Sequence, residues 1–489
     1  MNCLDLSLKE LHEALVAKKV TPLELAKEAL KRAHEDKDNA FEKILDKEAI
    51  EEASTLTEPE ENNYLWGIPY LAKDNFSTKG IETTASSNIL NGYVPVFDAT
   101  VIAKLKEKKA IMIAKTTMDE LAMGGTGTTG HLGKTYNPYD PTHQRMIGGS
   151  SCGSAAGVAS GIATFSLGSD TGDSVRKPAA YSGLVGMKPT WGRISRFGLF
   201  PFAPSLDHVG YFSRDVFASA VLLDVLSGRD DNDSTSSVKP VEKYEEDLLK
   251  PIKGYKVVVF SDIISSIKDE CLLKHFSSSL QALESEGVSI NYVNFGKELL
   301  ESLYATYIVI SCAEATSNDA NLDGIKFGPY KGGKSYQEVM YNARTAGFSE
   351  LIKRRFVIGS YCLMRENQEE LFLRAQRNRA KIVERVNEIL SENDFILLPS
   401  APSIAPLFSN SSDKLSEEYL IADNHLCLGN FAGLPSISLP LAFEDKMPLS
   451  VNFMGRAFDE KRLFQIASAF ERLSGLANLS VNDEKEGNL

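Results

Sequence analysis

Cysteine and histidine are too few and too dispersed in this chain to build a metal centre. The six cysteines, at 3, 152, 271, 312, 362 and 427, form no CxxC pair, and the seven histidines show no HExxH spacing. The same dispersal offers no disulfide framework, so a reducing, cytoplasmic compartment is expected. Long apolar runs are also missing: nowhere do about 18 apolar residues follow one another, and no membrane span is predicted. The opening "MNCLDLSLKELHEALVAKKVTPLELAKEAL" mixes charge into an amphipathic helical pattern, unlike a secretion signal. Positive charge is in deficit, 53 Lys and Arg against 66 Asp and Glu for a net charge of −13. That balance argues against a broad grip on nucleic-acid phosphates, leaving only local basic patches such as "KRRF" at 353–356. No internal repeat is visible.

What is present is a chain of 489 residues, 43% hydrophobic, long enough to bury a large core without disulfides or metals. Helices are predicted over 7–18 and 22–35, the second with Thr21 as N-cap and Pro22 at its first position. "TEPEENN" (57–63) reads as a loop. From there, apolar runs alternate with helical patterns. Strands are predicted at the end of "GIPYLAK", in "AIMIAK" (110–115), "ATFSLGSD" (163–170), "YKVVVFS" (255–261), "VSINYVNF" (288–295), "FILLPS" (395–400) and "SISLPLAF" (436–443). Helices are predicted over 98–109 and 152–161, and a helical stretch over "TTMDELAM". The alternation predicts an α/β fold with a largely covered sheet. A helical segment over 1–60 is expected to pack on a catalytic domain of 61–475, followed by a polar tail at 476–489. The acidic, serine-rich 228–240 is the best loop or sub-domain boundary.

Three elements carry candidate chemistry. "GTGTTG" (125–130) matches a dinucleotide fingerprint but lacks the strand that should precede it. "GSSCG" (149–153) matches a nucleophile elbow on Ser151, which would need a histidine such as His208 or His425. The third is Lys73, at the end of a buried strand, where a lysine is costly unless neutral or paired. Combined with two small-residue, serine-bearing loops, it offers a base, a relay and a nucleophile without any histidine.

The run "GGSSCGSAAGVASG…LGSDTGDSVRKPAAYSGLVGMKP" resembles the amidase signature family. The resemblance implies a single α/β/α domain, its central mixed sheet covered by helices on both faces, with a Ser–cis-Ser–Lys triad. In this sequence the nucleophile lands on Ser174, the bridging serine after a cis peptide on Ser150, and the lysine on Lys73. The oxyanion donors land on the backbone amides of Thr171, Gly172, Asp173 and Ser174. "LWGIPYLAKDNFSTKGIETTASSNIL", "WGRISRFGLFPFAPSLDHVGYFSRDV" and "FAGLPSISLPLAFEDKMPLSVNFMG" narrow the resemblance to the A subunits of glutamyl-/aspartyl-tRNA amidotransferases. That branch implies a glutaminase with Arg355 (or Arg354) on the substrate's carboxylate, Asp423 on its ammonium and Tyr307 lining the pocket. It implies no cofactor or metal in this chain, ATP and magnesium at a partner, the B subunit, a small third partner, the C subunit, and tRNA held indirectly through the former.

Two other functions share the motif: a stand-alone amidase for small amides, and an assembly subunit that has lost catalysis. The second arises because Asp173 stands where the family has glycine. Its carboxylate is expected to turn away from the oxyanion site, with Arg176 or Lys177 as the nearby cations. Cys152, also at a usual glycine position, and "MIGGSS" are further departures.

Overall fold

The structure is a computed structural model that describes residues 3–410 and 424–482. Its framework is one eleven-stranded mixed sheet among the described residues. In chain order the strands are β1 (Phe41–Ile44), β2 (Pro69–Lys73), β3 (Ile111–Thr116), β4 (Phe165–Asp170), β5 (Val185–Lys188) and β6 (His208–Ser213). They continue with β7 (Lys256–Phe260), β8 (Ser289–Val293), β9 (Phe395–Pro399), β10 (Ser436–Glu444) and β11 (Met447–Gly455). The spatial order is β1-β3-β2-β4-β6-β5-β10-β11-β9-β7-β8. β2 runs parallel to both β3 and β4, whereas β4 to β6 to β5 and β5 to β10 to β11 to β9 are antiparallel. Every residue of β2, β3, β4 and β9 is buried. Successive side chains point to opposite faces, so these strands are covered on both.

All the predicted strands are present, and both N-terminal helices form, as Leu8–Val16 and Pro22–His34. Thr21 caps the second through a reciprocal box with Glu24. "TTMDELAM" departs from its helical pattern. Only Glu120–Ala122 makes a 3-10 turn, with Leu121 and Ala122 at positive φ. Asp119 is the reason. Its carboxylate accepts from the backbone N–H groups of Thr126, Gly127, Thr128 and Thr129, which wraps the chain around it instead of letting a helix run on. The "GTGTTG" loop is thereby folded around an internal anion. Segment 228–240 is a loop tied down by Asp230 and Asp233, the latter accepting from the Arg196 N–H at 2.8 Å. The predicted tail at 476–489 lies, from 483, outside the described residues; Ser480 and Val481 are buried.

Candidate active site

β2 and β4 are parallel neighbours, so Lys73 and Asp170 sit at the same, carboxyl end of the sheet. Open α/β sheets place their reactive groups there. The turn 171–175 follows β4 directly, and the loop 147–151 precedes the helix Cys152–Ala159 that leads into β4. Three segments distant in sequence therefore converge at one sheet end.

Lys73 is fully buried, and its Nζ donates to Ser150 Oγ at 2.8 Å and to Ser169 Oγ at 2.9 Å. Asn75 Nδ2 also donates to Ser169 Oγ, at 2.9 Å. Burial pulls the Lys73 ammonium down from its ordinary range to about 7, against the opposing attraction of Asp119, Asp170 and Asp207. The peptide between Gly149 and Ser150 is cis. Ser151 N–H donates to the Ser174 carbonyl at 3.2 Å, which joins the two serine loops. Asp119 N–H donates to the Ser150 carbonyl at 3.1 Å. The Ser150 loop thus rests on the same aspartate that organises 126–129.

Glycine at 149 is demanded by space: a Cβ there would lie 2.0 Å from Asp119 Oδ2. Gly149→Ala is expected to lower stability by about 1–3 kcal/mol through overpacking and to cut turnover by displacing Ser150. Denaturant midpoints and ammonia release from glutamine measure both.

The turn carrying Ser174 is held from beneath. Asp170 accepts from the Val175 N–H at 2.9 Å and from Arg176 Nε at 3.1 Å and Nη2 at 2.9 Å. Arg176 Nη2 also donates to the Gly172 carbonyl at 2.8 Å and to Asn430 Oδ1 at 2.7 Å. Asn430 Nδ2 returns a bond to the Asp170 carboxylate at 3.0 Å. Thr171 Oγ1 donates to Asp207 at 2.7 Å. Among the described residues, the amides of Gly172 and Ser174 donate to no protein acceptor, which suits them to a ligand oxygen.

A pocket opens against this turn, lined among others by Gly172, Asp173, Tyr307, Arg355 and Cys427. A Cβ on Gly172 would come within 3.0 Å of the Tyr307 ring, so the glycine lets the ring close over the backbone. Arg355, on the helix Glu350–Leu363, is 8% exposed, and its Nη1 is buried without a hydrogen-bond partner among the described residues. A buried guanidinium with an open donor suits a carboxylate. Arg354 next to it is exposed.

Several expectations are corrected here. Asp173 is among the residues that line the pocket. Arg176 is not its cation, being committed to Asp170. Ser151 is buried and donates to the Ser169 carbonyl at 3.1 Å, while His208 and His425 bond the carbonyls of Leu206 and Pro399. The elbow reading of Ser151 therefore has no histidine base among the described residues. Asp423 lies outside the described residues. The sequence reading missed Ser169, Asn75, Asp119 and Asn430, although "AKDN" and "LGSD" hold the first two within two residues of groups it singled out.

Comparison with known proteins gives the chain a family. The amidase family model matches residues 24–464. The glutamyl-tRNA(Gln) amidotransferase A subunit of Listeria welshimeri is 38% identical over 487 residues, covering 96% of this chain and 98% of that one. The protein of the same name from Streptococcus uberis is 38% identical, covering 95% of each. The crystal structure of the glutamyl-tRNA(Gln) amidotransferase A subunit from Thermotoga maritima superposes with a TM-score of 0.79 at 33% identity, covering 96% of this chain and 95% of that one. A buried Lys73–Ser150 contact beside the Ser174 turn, a family match over most of the length and relatives of one name together show that this chain belongs to the amidase family, among its glutamyl-tRNA(Gln) amidotransferase A subunits.

Proposed function

We propose that the chain hydrolyses the side-chain amide of glutamine at Ser174 and supplies the ammonia to a tRNA-dependent amidotransferase. The observation that carries this reading is the Lys73 Nζ–Ser150 Oγ hydrogen bond, made by a fully buried lysine poised near neutrality. Neutral Lys73 takes a proton from Ser150, Ser150 takes one from Ser174, and the Ser174 oxygen attacks the amide carbon. The oxyanion that forms is met by the amides of the 171–174 turn. The proton returns through Ser150 to the leaving nitrogen, ammonia departs, and water cleaves the glutamyl ester. Arg355 takes the substrate carboxylate and Tyr307 closes the pocket wall; Asp423 is the family's candidate for the ammonium. Asp173 does not sit at positive φ, so the turn keeps its shape with a side chain there, which disfavours a purely assembling role.

The ammonia would pass to a B subunit that holds ATP, magnesium and mischarged Glu-tRNA(Gln) or Asp-tRNA(Asn), with a small C subunit next to it, in the cytoplasm. The net charge of −13 is compatible with tRNA being gripped elsewhere than on this chain. Among the described residues, no helix is long and apolar enough to cross a membrane.

Acid quenching during turnover, followed by peptide mass mapping, is expected to find a glutamyl ester on Ser174; an ester on another residue would contradict the mechanism. The pH profile offers a second check. A lysine is the active base only when deprotonated, so kcat/KM for glutamine should rise about tenfold per pH unit below about 7 and level off above it. A profile flat from about pH 5 to about pH 9 would remove Lys73 as the base.

A further inference from the structure

Asp119 precedes the 3-10 turn Glu120–Ala122 and Glu120 opens it, yet the two neighbours bond to different parts of the site. The Asp119 N–H holds the Ser150 carbonyl. The Glu120 side chain, 3% exposed, bonds instead to the start of the helix Glu350–Leu363 that carries Arg355. We propose that Glu120 is a positioning residue: it ties the amino end of that helix to the turn that supports Ser150, and so sets where Arg355 meets the substrate carboxylate. This rests on the glutaminase reading above and assigns the spacing between carboxylate site and triad to one side chain.

Three observations converge on it. The Glu120 carboxylate accepts from the Ser349 N–H at 3.2 Å and from Ser87 Oγ at 2.6 Å. Ser349 is the N-cap of the Arg355 helix. A helix that closes its own start places Glu or Gln three residues after the cap, where it accepts the cap N–H. Here that position is Ile352, which cannot accept, and Glu120 supplies the bond from 229 residues away. The second observation is burial. A buried carboxylate is costly, and an apolar side chain would fill the same space at less expense. A negative group at the amino end of a helix is, by contrast, well placed. The third is reach. Gly124, four residues after Glu120, lines the same pocket as Arg355. Segment 119–124 thereby joins the Ser150 loop, the Arg355 helix and the pocket wall.

The kinetic consequence is specific. The substrate carboxylate keeps the same charge before and during attack on the side-chain amide. A displaced Arg355 therefore weakens ground state and transition state alike, which raises KM and spares kcat.

The test is ammonia release from glutamine by the chain assembled with its partner subunits. Glu120→Ala should raise KM by about tenfold or more and change kcat by less than about threefold. Glu120→Gln keeps an oxygen that accepts the Ser349 N–H, and should bring KM back to within about threefold of the natural value. If Glu120→Ala is insoluble, Ser349→Pro and Ser349→Ala test the same bond from its other end. Both lose the hydroxyl and only proline loses the N–H, at a φ of −68° that suits its ring; KM should then rise about tenfold further in the proline variant. A KM that stays put, or a kcat that falls as far as KM rises, would overturn this inference alone. A natural chain that releases no ammonia from glutamine would overturn the glutaminase reading, and the inference with it.

Discussion

Ser174→Ala is expected to lower glutamine-dependent ammonia release by about four to six orders of magnitude, with no change in melting temperature beyond a degree or two. The size follows from what the hydroxyl does. Without it there is no covalent ester, and the remaining donors can only orient water against an amide, an intrinsically slow reaction. Stability is spared because the Asp170–Arg176–Asn430 group, not the serine side chain, holds the turn. Lys73→Ala and Ser150→Ala should each cost a comparable factor, and combining either with Ser174→Ala should add little, since the three act as one unit. Additive losses would mean that Lys73 and Ser150 serve a step that does not pass through Ser174. Glutamine binding, measured by calorimetry, should survive Ser174→Ala.

The largest effect on stability is expected at Arg176. Its side chain and that of Asp170 are both wholly buried, 2.9 Å apart. Arg176→Met should destabilise by about 3–5 kcal/mol, chiefly because an unpaired carboxylate is left in the interior. Burial alone would raise the Asp170 carboxyl, but the Arg176 guanidinium, helped by Lys188 and Asn430, overrides it and holds the group below the usual carboxylate range. A carboxyl depressed in the folded state stabilises above its unfolded value of about 3.9 and loses that contribution as pH falls through and below it. In Arg176→Met burial acts on Asp170 without that override and raises its carboxyl, so the gap between the natural chain and the variant should narrow as pH falls from neutrality. Urea unfolding at neutral pH and at about pH 3.5 measures it. A gap that is constant with pH would mean that lost packing, not the ion pair, dominates.

How far the sequence revealed this molecule differs between fold and site. The buried strands were legible because covered parallel strands read as short continuous apolar runs, as "YLAK", "IMIA" and "VVVF" do. β5 and β6, with glycine inside runs of only four and six residues, carry no such signal. β1, "FEKI", is a partly exposed edge strand whose pairing with β3 sets its conformation more than its own composition does. At the site, the serine loops and the strand-end lysine could be singled out by residue type, and their roles by family resemblance. Asp119 could not. Its function is to accept four backbone amides from a loop that begins seven residues later, and a carboxylate in that position reads equally well as the surface of a helix. Asp173 was legible as an oddity but not as part of a pocket wall, because the wall is completed by Tyr307 and Arg355, both well over a hundred residues away.

That long-range bracing has a consequence during synthesis. Asn430, which clamps both Asp170 and Arg176, is made 256 residues after Ser174. At about 5–20 residues per second, a ribosome carries the finished serine for roughly ten seconds to a minute before the clamp emerges. Over that interval the Ser174 turn has Asp170 and Arg176 beneath it but not Asn430, and β10 and β11 are not yet made. The serine is thus translated long before the side chain that completes the brace beneath it.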